Sequence, residues 1–266
     1  VGDGQGIQKV LAFSYLLAEY SNEKLSSTYW QETIERYFTH ASQMKLTLWK
    51  DNEQAEAKVF EITKAIIPQF FLATMQSGVR SMSLGLDGAR ERLYSVGHSI
   101  VETTKAVWTC RYHNGYVVTL TGPLTVRVVV CSPSNPPSAG EQPNAILKFE
   151  QFQFDASTHE KFISVDSIQL TRSPELPKTP RSRNAPTPVP NGPPDDAVKR
   201  PWEEQRMYGD KASLPVEPVN AFGIPQATMR VLEVSSIYFA AEQRLIMLRV
   251  ASGECHTDAG SCIILQ

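Results

Sequence analysis

Five histidines stand at 40, 98, 113, 159 and 256, and four cysteines at 110, 131, 255 and 262. A metal site needs such groups at short, repeated spacings, and neither set shows them, so no metal ligand is assigned. Proton transfer needs a carboxyl or imidazole group held in an apolar cavity, and Asp87, His98, Asp155 and Asp166 are the candidates. Nothing in their spacing pairs one with another. Val1-Gly2-Asp3-Gly4-Gln5-Gly6 is glycine-rich, yet it follows no strand and reads as a flexible lead-in, not as a phosphate cradle. The expectation is a protein without catalytic, cofactor-binding or metal-ligating residues.

Composition narrows the class further. A chain of 266 residues suffices for one sizeable core and a minor second element. Its 41% hydrophobic content and formal charge of −2 lack the basic excess of proteins that grip phosphate backbones, so direct nucleic-acid binding is not expected. No apolar run approaches the roughly 20 residues a membrane span requires. Unpaired cysteines suit a reducing compartment. The start at Val1 reads as a fragment or a processed product.

The elements that must position these groups come as helices first and strands afterwards. Ile7, Val10, Leu11, Leu17 and Ala18 share a helical stripe that starts at Asp3 or a nearby glycine. In a second helix Thr28 and Gln31 have capping-box spacing, and Trp30, Ile34, Tyr37, Phe38 and Ala41 recur on one face that must be buried. Met44, Leu46 and Leu48 alternate with Lys45, Thr47 and Trp49 as a half-buried strand does, and Val59 to Ile62 offers another. A third helix has Thr63 as N-cap, Pro68 near its start, an apolar side of Phe70, Phe71, Thr74 and Met75, and Gly78 at its end.

From Val79 onward the chain reads as antiparallel strand, in runs Val79 to Leu86, Ser99 to Thr103, Ala106 to His113, Tyr116 to Thr121 and Leu124 to Cys131. Asn114-Gly115 predicts a type I′ turn and Gly122-Pro123 the next reversal. Residues 132 to 144, with four prolines, read as a long surface loop. Leu147, Phe149, Gln151 and Gln153 alternate against Phe152 and Phe154, and Phe162 to Ile168 makes a final strand or short helix. This order describes an α+β fold, N-terminal helices on a curved antiparallel sheet, as a sandwich or open cone. With strands this apolar, one face packs on helices, and Trp108, Tyr112, Tyr116, Val118, Leu120, Val126 and Val128 are the expected meeting surface of a homodimer.

Eleven of the eighteen prolines fall between Pro174 and Pro218, a stretch without the apolar content or backbone N–H groups that sheet and helix interiors need. It reads as a disordered tether. The organisation expected is a folded domain at 7–170, a linker at 171–218, a helical segment at 219–250 and an unstructured tail at 251–266. Within the linker Lys178, Arg181, Arg183, Lys199 and Arg200 form a loose basic cluster, and Ser173-Pro174, Thr179-Pro180 and Thr187-Pro188 suit proline-directed phosphorylation.

The order of residues from Ile7 to Ile168 resembles the LIM-domain-binding proteins, the family of Chip-type and SEUSS-type adaptors, and most of all its fungal branch. The resemblance rests on Trp30 with Arg36-Tyr37-Phe38, on Ala65-Ile66-Ile67-Pro68-Gln69-Phe70-Phe71, and on Ser77-Gly78-Val79. It continues through Thr121-Gly122-Pro123-Leu124-Thr125-Val126, similar to the family's glycine-centred hairpin, and through Phe154 to His159 with Lys161-Phe162-Ile163. It implies a dimerisation domain shaped like nuclear transport factor, working in nuclear transcription complexes. Asn220 to Arg230 is similar to the start of the family helix that docks LisH-bearing partners, which makes Phe222, Gly223, Ile224, Pro225, Thr228, Met229 and Leu232 the expected docking residues. Gly223 permits a sharp entry and Pro225 suits a first helical turn, with Met229, Leu232 and Ile237 as the apolar face. The match fades after Glu233, so residues 234 to 266 are expected to be a foreign, mis-joined end, and the LIM-interacting tail of animal members is not visible.

The function these readings imply is a non-enzymatic, nuclear transcriptional co-regulator. It homodimerises and bridges DNA-bound factors through LisH-containing partners, and in fungi it controls adhesion, filamentous growth or development. The alternative is a small-molecule-binding or isomerase-type cone, which a deep pocket with a buried carboxylate and a histidine would favour.

Overall fold

The computed structural model describes residues 4–52, 55–131, 146–171 and 211–237. The expected basic cluster and phosphorylation sites of the linker, and the tail at 251–266, lie outside the described residues. The described residues form two compact units, one of those within 1–164 and 217–237 and a small one of 165–171 with 211–216. In the small unit a 3-10 turn at Val165–Ser167 precedes a strand β9 (Gln169–Thr171), which pairs antiparallel with β10 (Lys211–Ser213). Thr171, the first residue of the expected linker, thus pairs with Lys211 within it.

In the large unit three helices, α1 (Gln5–Ala18), α2 (Ser27–Tyr37) and α3 (Ile67–Gln76), accompany one sheet. Its strands are β1 (Phe38–Trp49), β2 (Ala57–Thr63), β3 (Val79–Asp87), β4 (Arg90–Ser95), β5 (His98–Tyr112), β6 (Tyr116–Cys131), β7 (Ile146–Ala156) and β8 (Thr158–Ile163). The order is β2-β1-β7-β6-β5-β3, with β4 on β5 and β8 on β6. The α+β class and the helices-on-sheet arrangement hold. The sheet is mixed, however, because β1 runs parallel to β7. These strands are far apart in sequence, so no hairpin sets their relative direction.

Two expected reversals are bends within long strands. The runs on either side of Thr103 are one strand, β5, bulged between Thr103 and Ala106, where the Thr103 hydroxyl donates to the Asp87 carbonyl at 2.7 Å. Gly122-Pro123 lies inside β6, at the point where that strand stops pairing with β8 (Thr121 opposite Thr158) and starts pairing with β7 (Leu124 opposite Phe154). Pro123 has no ladder partner there, so its missing N–H costs nothing. The hairpin at Asn114-Gly115 forms, but of its loop residues only Gly115 has positive φ, at 87°, so the turn is not type I′. The edge strand β4 escaped the pattern because its residues are almost all exposed and show no apolar alternation.

Local contacts also move the helix ends. Helix α2 begins after Ser26, not at Thr28, and it stops at Tyr37 because Phe38 is drawn into the sheet, 5.2 Å from Phe149 and 5.8 Å from Phe13 between ring centroids. Helix α3 takes Ile66 as its cap, since Thr63 is still in β2. Gly78, at φ 91°, ends it as expected. The buried stripe of α1 is Val10, Phe13 and Leu17. At its start the Glu91 carboxylate accepts from the backbone N–H of Gly6 at 3.0 Å and of Ile7 at 3.2 Å. This helix N-terminus carries its own anion.

An aromatic layer joins helices to sheet. Trp30 stacks on Phe71 at 4.8 Å, Phe71 lies 6.2 Å from Trp108, and Phe13 meets Phe71 and Phe149 edge-on. Beneath it Lys24 is fully buried, its ammonium donating to the carbonyls of Leu16 (2.6 Å), Leu17 (3.1 Å) and Glu19 at the end of α1. The Lys24 carbonyl in turn accepts the Trp30 indole N–H at 2.7 Å. Burial lowers the pKa of Lys24, and the Glu19 carboxylate opposes that shift. Lys24→Met keeps the volume but leaves α1's last carbonyls unpaired, so we expect a loss of about 3 kcal/mol, read as a lower urea midpoint at unchanged m-value.

Candidate functional site

Helix α3 and the sheet leave an apolar interior, lined by Phe70, Met82, Trp108 and Leu120, with a mouth at one end. Here residues 217–237 return to that mouth and close it. This segment belongs to the same compact unit as the helices and the sheet. The turn is built from short-range bonds: Asn220 N–H to the Ile224 carbonyl at 2.9 Å, Gly223 N–H to the Asn220 carbonyl at 3.0 Å, and Phe222 N–H to Asn220 Oδ1 at 2.9 Å. Gly223 takes φ 76°, and a β-carbon there would lie 2.8 Å from the Cβ and Cγ of His159 and 2.9 Å from Leu120 Cδ2. Only glycine fits both the angle and the space.

A helix, α4, follows at 226–237. Phe222, Ile224, Met229 and Leu232 are buried, the last completely. The hydroxyls of Thr228 and Thr74 meet at 3.0 Å, with Thr74 also donating to the Phe70 carbonyl at 2.7 Å. At the rim Asp51 N–H donates to the Ala221 carbonyl at 2.8 Å, Lys58 pairs with Glu233 at 2.8 Å, and Lys161 with Glu217 at 2.6 Å. His159 is held beneath Gly223 by Asn52, whose side chain accepts from the His159 N–H at 2.6 Å and donates to its carbonyl at 2.7 Å. Burial lowers the pKa of this imidazole, with Lys161 next in effect.

What remains inside is a cavity of about 20 Å³, lined by Phe70, Met82, Trp108, Cys110, Tyr112 and Leu120 and capped by Ile224 and Pro225. Its walls are apolar. Burial pushes the Cys110 thiol up to about 12, leaving it protonated and inert at neutral pH. The Tyr112 hydroxyl has no hydrogen-bond partner, and burial, followed by Cys110, pushes its pKa up as well.

Asp87, His98, Asp155 and Asp166 are not brought together, and none lines this cavity. Asp87 ends β3 opposite Lys105, and the ring Nδ1 of His98 is 2.9 Å from the Val96 carbonyl at the start of β5. Asp155 accepts the Trp49 indole N–H at 2.9 Å, and Asp166 is in the small unit.

Both sets of expected interaction residues lie largely inside the protomer. Trp108, Tyr112, Val118, Leu120, Val126 and Val128 are buried, and Tyr116 is half-buried. They form the inward-facing parity of β5 and β6. The outward parity is Val107, Thr109, Arg111, Val117 and Thr119. Phe222, Ile224, Met229 and Leu232 likewise pack on the chain's own core, with Thr228 buried beside them, and Gly223 and Pro225 shape the turn. Sequence spacing marks an apolar face but not which surface it meets. Ile237, at 69% exposed, is outside the core.

This is an α+β fold whose residues 217–237 pack back onto its own helices and sheet. The chain belongs to the LIM-domain binding protein family, whose sequence pattern matches residues 8–238. Similar relatives are the transcriptional activator ptaB of Aspergillus fumigatus, 24% identical over 235 residues, and adhesion defective protein 1 of Schizosaccharomyces pombe, 23% identical over 238 residues. Each comparison covers 87% of this chain, which spans 28% of the length of the first relative and 56% of the second. Solved structures similar to it include a nuclear transport factor 2-like superfamily protein from Salmonella enterica, with 14% identity and a TM-score of 0.35 over 56% of this chain and 87% of that one. A hexachlorocyclohexane dehydrochlorinase is also similar, with 8% identity and a TM-score of 0.35 over 60% and 88%.

Proposed function

We propose that this chain is the non-catalytic, self-associating core of a nuclear transcriptional adaptor that controls adhesion or developmental genes; of its two relatives, one is named as a transcriptional activator and the other for an adhesion defect. The observation that carries the reading is the closed mouth: Ile224, Pro225 and Thr228 occupy the space a substrate would need, and the remaining cavity of about 20 Å³ holds no carboxylate or histidine. An adaptor of this kind acts by effective concentration. Two linked partner sites on one dimer hold separate DNA-bound factors near each other and strengthen assembly without new contacts. LisH-containing transcription factors remain the proposed partners.

For the dimer we propose the outward face of β5 and β6, which carries half-buried Val107, Thr109, Val117 and Thr119 with exposed Arg111. Neighbouring residues test it. Val117→Asp is expected to turn dimers into monomers of unchanged Tm in light scattering, whereas Val118→Asp, at a position 1% exposed, is expected to unfold the chain. Monomers in the unmutated protein, or turnover of a small molecule, would overturn the adaptor reading.

A further inference from the structure

We propose that the cleft between α2, the first residues of β1 and the turn from β2 to α3 binds an extended peptide as an added strand. This inference does not depend on the adaptor reading. The cleft has a volume of about 580 Å³, within the range of ligand sites, and lies away from the closed mouth. Its boundary is an interrupted ladder. Strand β1 begins at Phe38, yet β2 pairs with it only from Gln43, opposite Thr63, after which the chain turns away through the Ile66 N–H to Thr63 carbonyl bond of 2.9 Å. On the other side, pairing with β7 passes from Phe38 opposite Phe149 directly to Gln43 opposite Gln151. Residues 39–42 therefore remain in strand with no facing residue on the β2 side.

A second observation points into the same space. Ser42 lines the cleft, is 2% exposed, and its hydroxyl has no hydrogen-bond partner among the described residues. Buried hydroxyls are nearly always paired in native proteins, so a group supplied from outside completes this one. The walls say what kind of group. Gln31, Gln43 and Thr63 offer amides and a hydroxyl, His40 an imidazole, and the Glu35 carboxylate pairs with both Lys64 at 2.7 Å and Lys148 at 3.8 Å. Ile34, Ala65 and Pro68 add apolar wall between these polar groups, and a mixed lining beside an open strand edge fits a polypeptide, whose backbone pairs with the edge while its side chains rest on the apolar residues.

The probe is a phage-displayed library of random linear peptides panned on the whole chain. Retained peptides are expected to slow amide hydrogen exchange at residues 39–42 about tenfold or more, as added ladder bonds would. Ser42→Ala should weaken them about five- to tenfold while Tm holds or rises, because the lost bond is made only in the complex. Ala41→Arg, at an exposed position in the cleft, should abolish binding and leave the fold intact. A residue needed only for folding would not separate affinity from stability in this way. The proposal is overturned if no peptide is enriched, if protection appears elsewhere, or if Ser42→Ala leaves affinity unchanged. It is equally overturned if these amides are already protected without peptide, which would mean that residues 132–145 or a second copy fill the cleft.

Discussion

Gly223→Val is expected to lower stability by about 4 kcal/mol and to open the mouth of the cone. Two costs add. The left-handed angle of 76° is unfavourable for any residue with a β-carbon, and valine, branched at that carbon, is among the least tolerant. The new carbon would also sit 2.8 Å from His159, whose backbone is pinned on both sides by Asn52, and 2.9 Å from Leu120 within β6. The Leu120 methyl can swing aside, but the Cβ and Cγ of the pinned His159 cannot, so the turn must lift. Phe222, Ile224 and Met229 then lose their burial and Trp108 gains access to solvent, which a red shift in tryptophan emission and binding of a hydrophobic dye would report. Gly88→Ala is the control, since Gly88 has φ 66° and nothing within 4 Å of a β-carbon. If the two variants lose the same stability, packing against His159 and Leu120 contributes nothing and the closure is weaker than described.

Gly122→Ala should be at least as damaging, with a loss of about 4 kcal/mol or failure to accumulate as folded protein. A β-carbon at this position would stand 1.8 Å from the backbone oxygen of Asp155 and 3.0 Å from the nitrogen of Ser157. Both are main-chain atoms. The Asp155 carbonyl already accepts the Ser157 N–H at 2.9 Å in the tight turn from β7 to β8, and the Asp155 carboxylate accepts the Trp49 indole N–H at 2.9 Å. Relief therefore requires β6 to separate from that turn at the point where it changes partners. Gly85→Ala, where the nearest atoms are at 3.7 and 3.8 Å, should be close to neutral by comparison. Matched denaturation midpoints for the two variants would show that the close approach at Gly122 is not a constraint.

Much of the fold was legible because local chemistry and tertiary demand agree. Trp30, Ile34, Phe70 and Phe71 recur at helical spacing and are buried, and Gly78 stops α3 where its positive angle is needed. Other features had no local signal. Lys24 reads as a surface lysine, and only the end of α1 folding over it turns its ammonium into a cap. The Glu91 carboxylate is 85 residues from the helix start it serves. The Ser42 cleft is defined by where β2 stops, which no residue type announces.

By itself the chain's order of residues determined the α+β class, the family, the aromatic core and an apolar face on the segment around Met229, because periodicity and backbone angles are properties of near neighbours. Only the tertiary structure decided which surface each face meets: that Trp108 and Leu120 look inward, that β1 lies parallel to β7, and that Phe222 and Leu232 return to seal the cone. Spacing tells which side of an element avoids water. It does not tell whether the cover comes from another molecule or from the same chain about 50 residues later, because closing so long a loop costs only slightly more than closing a short one.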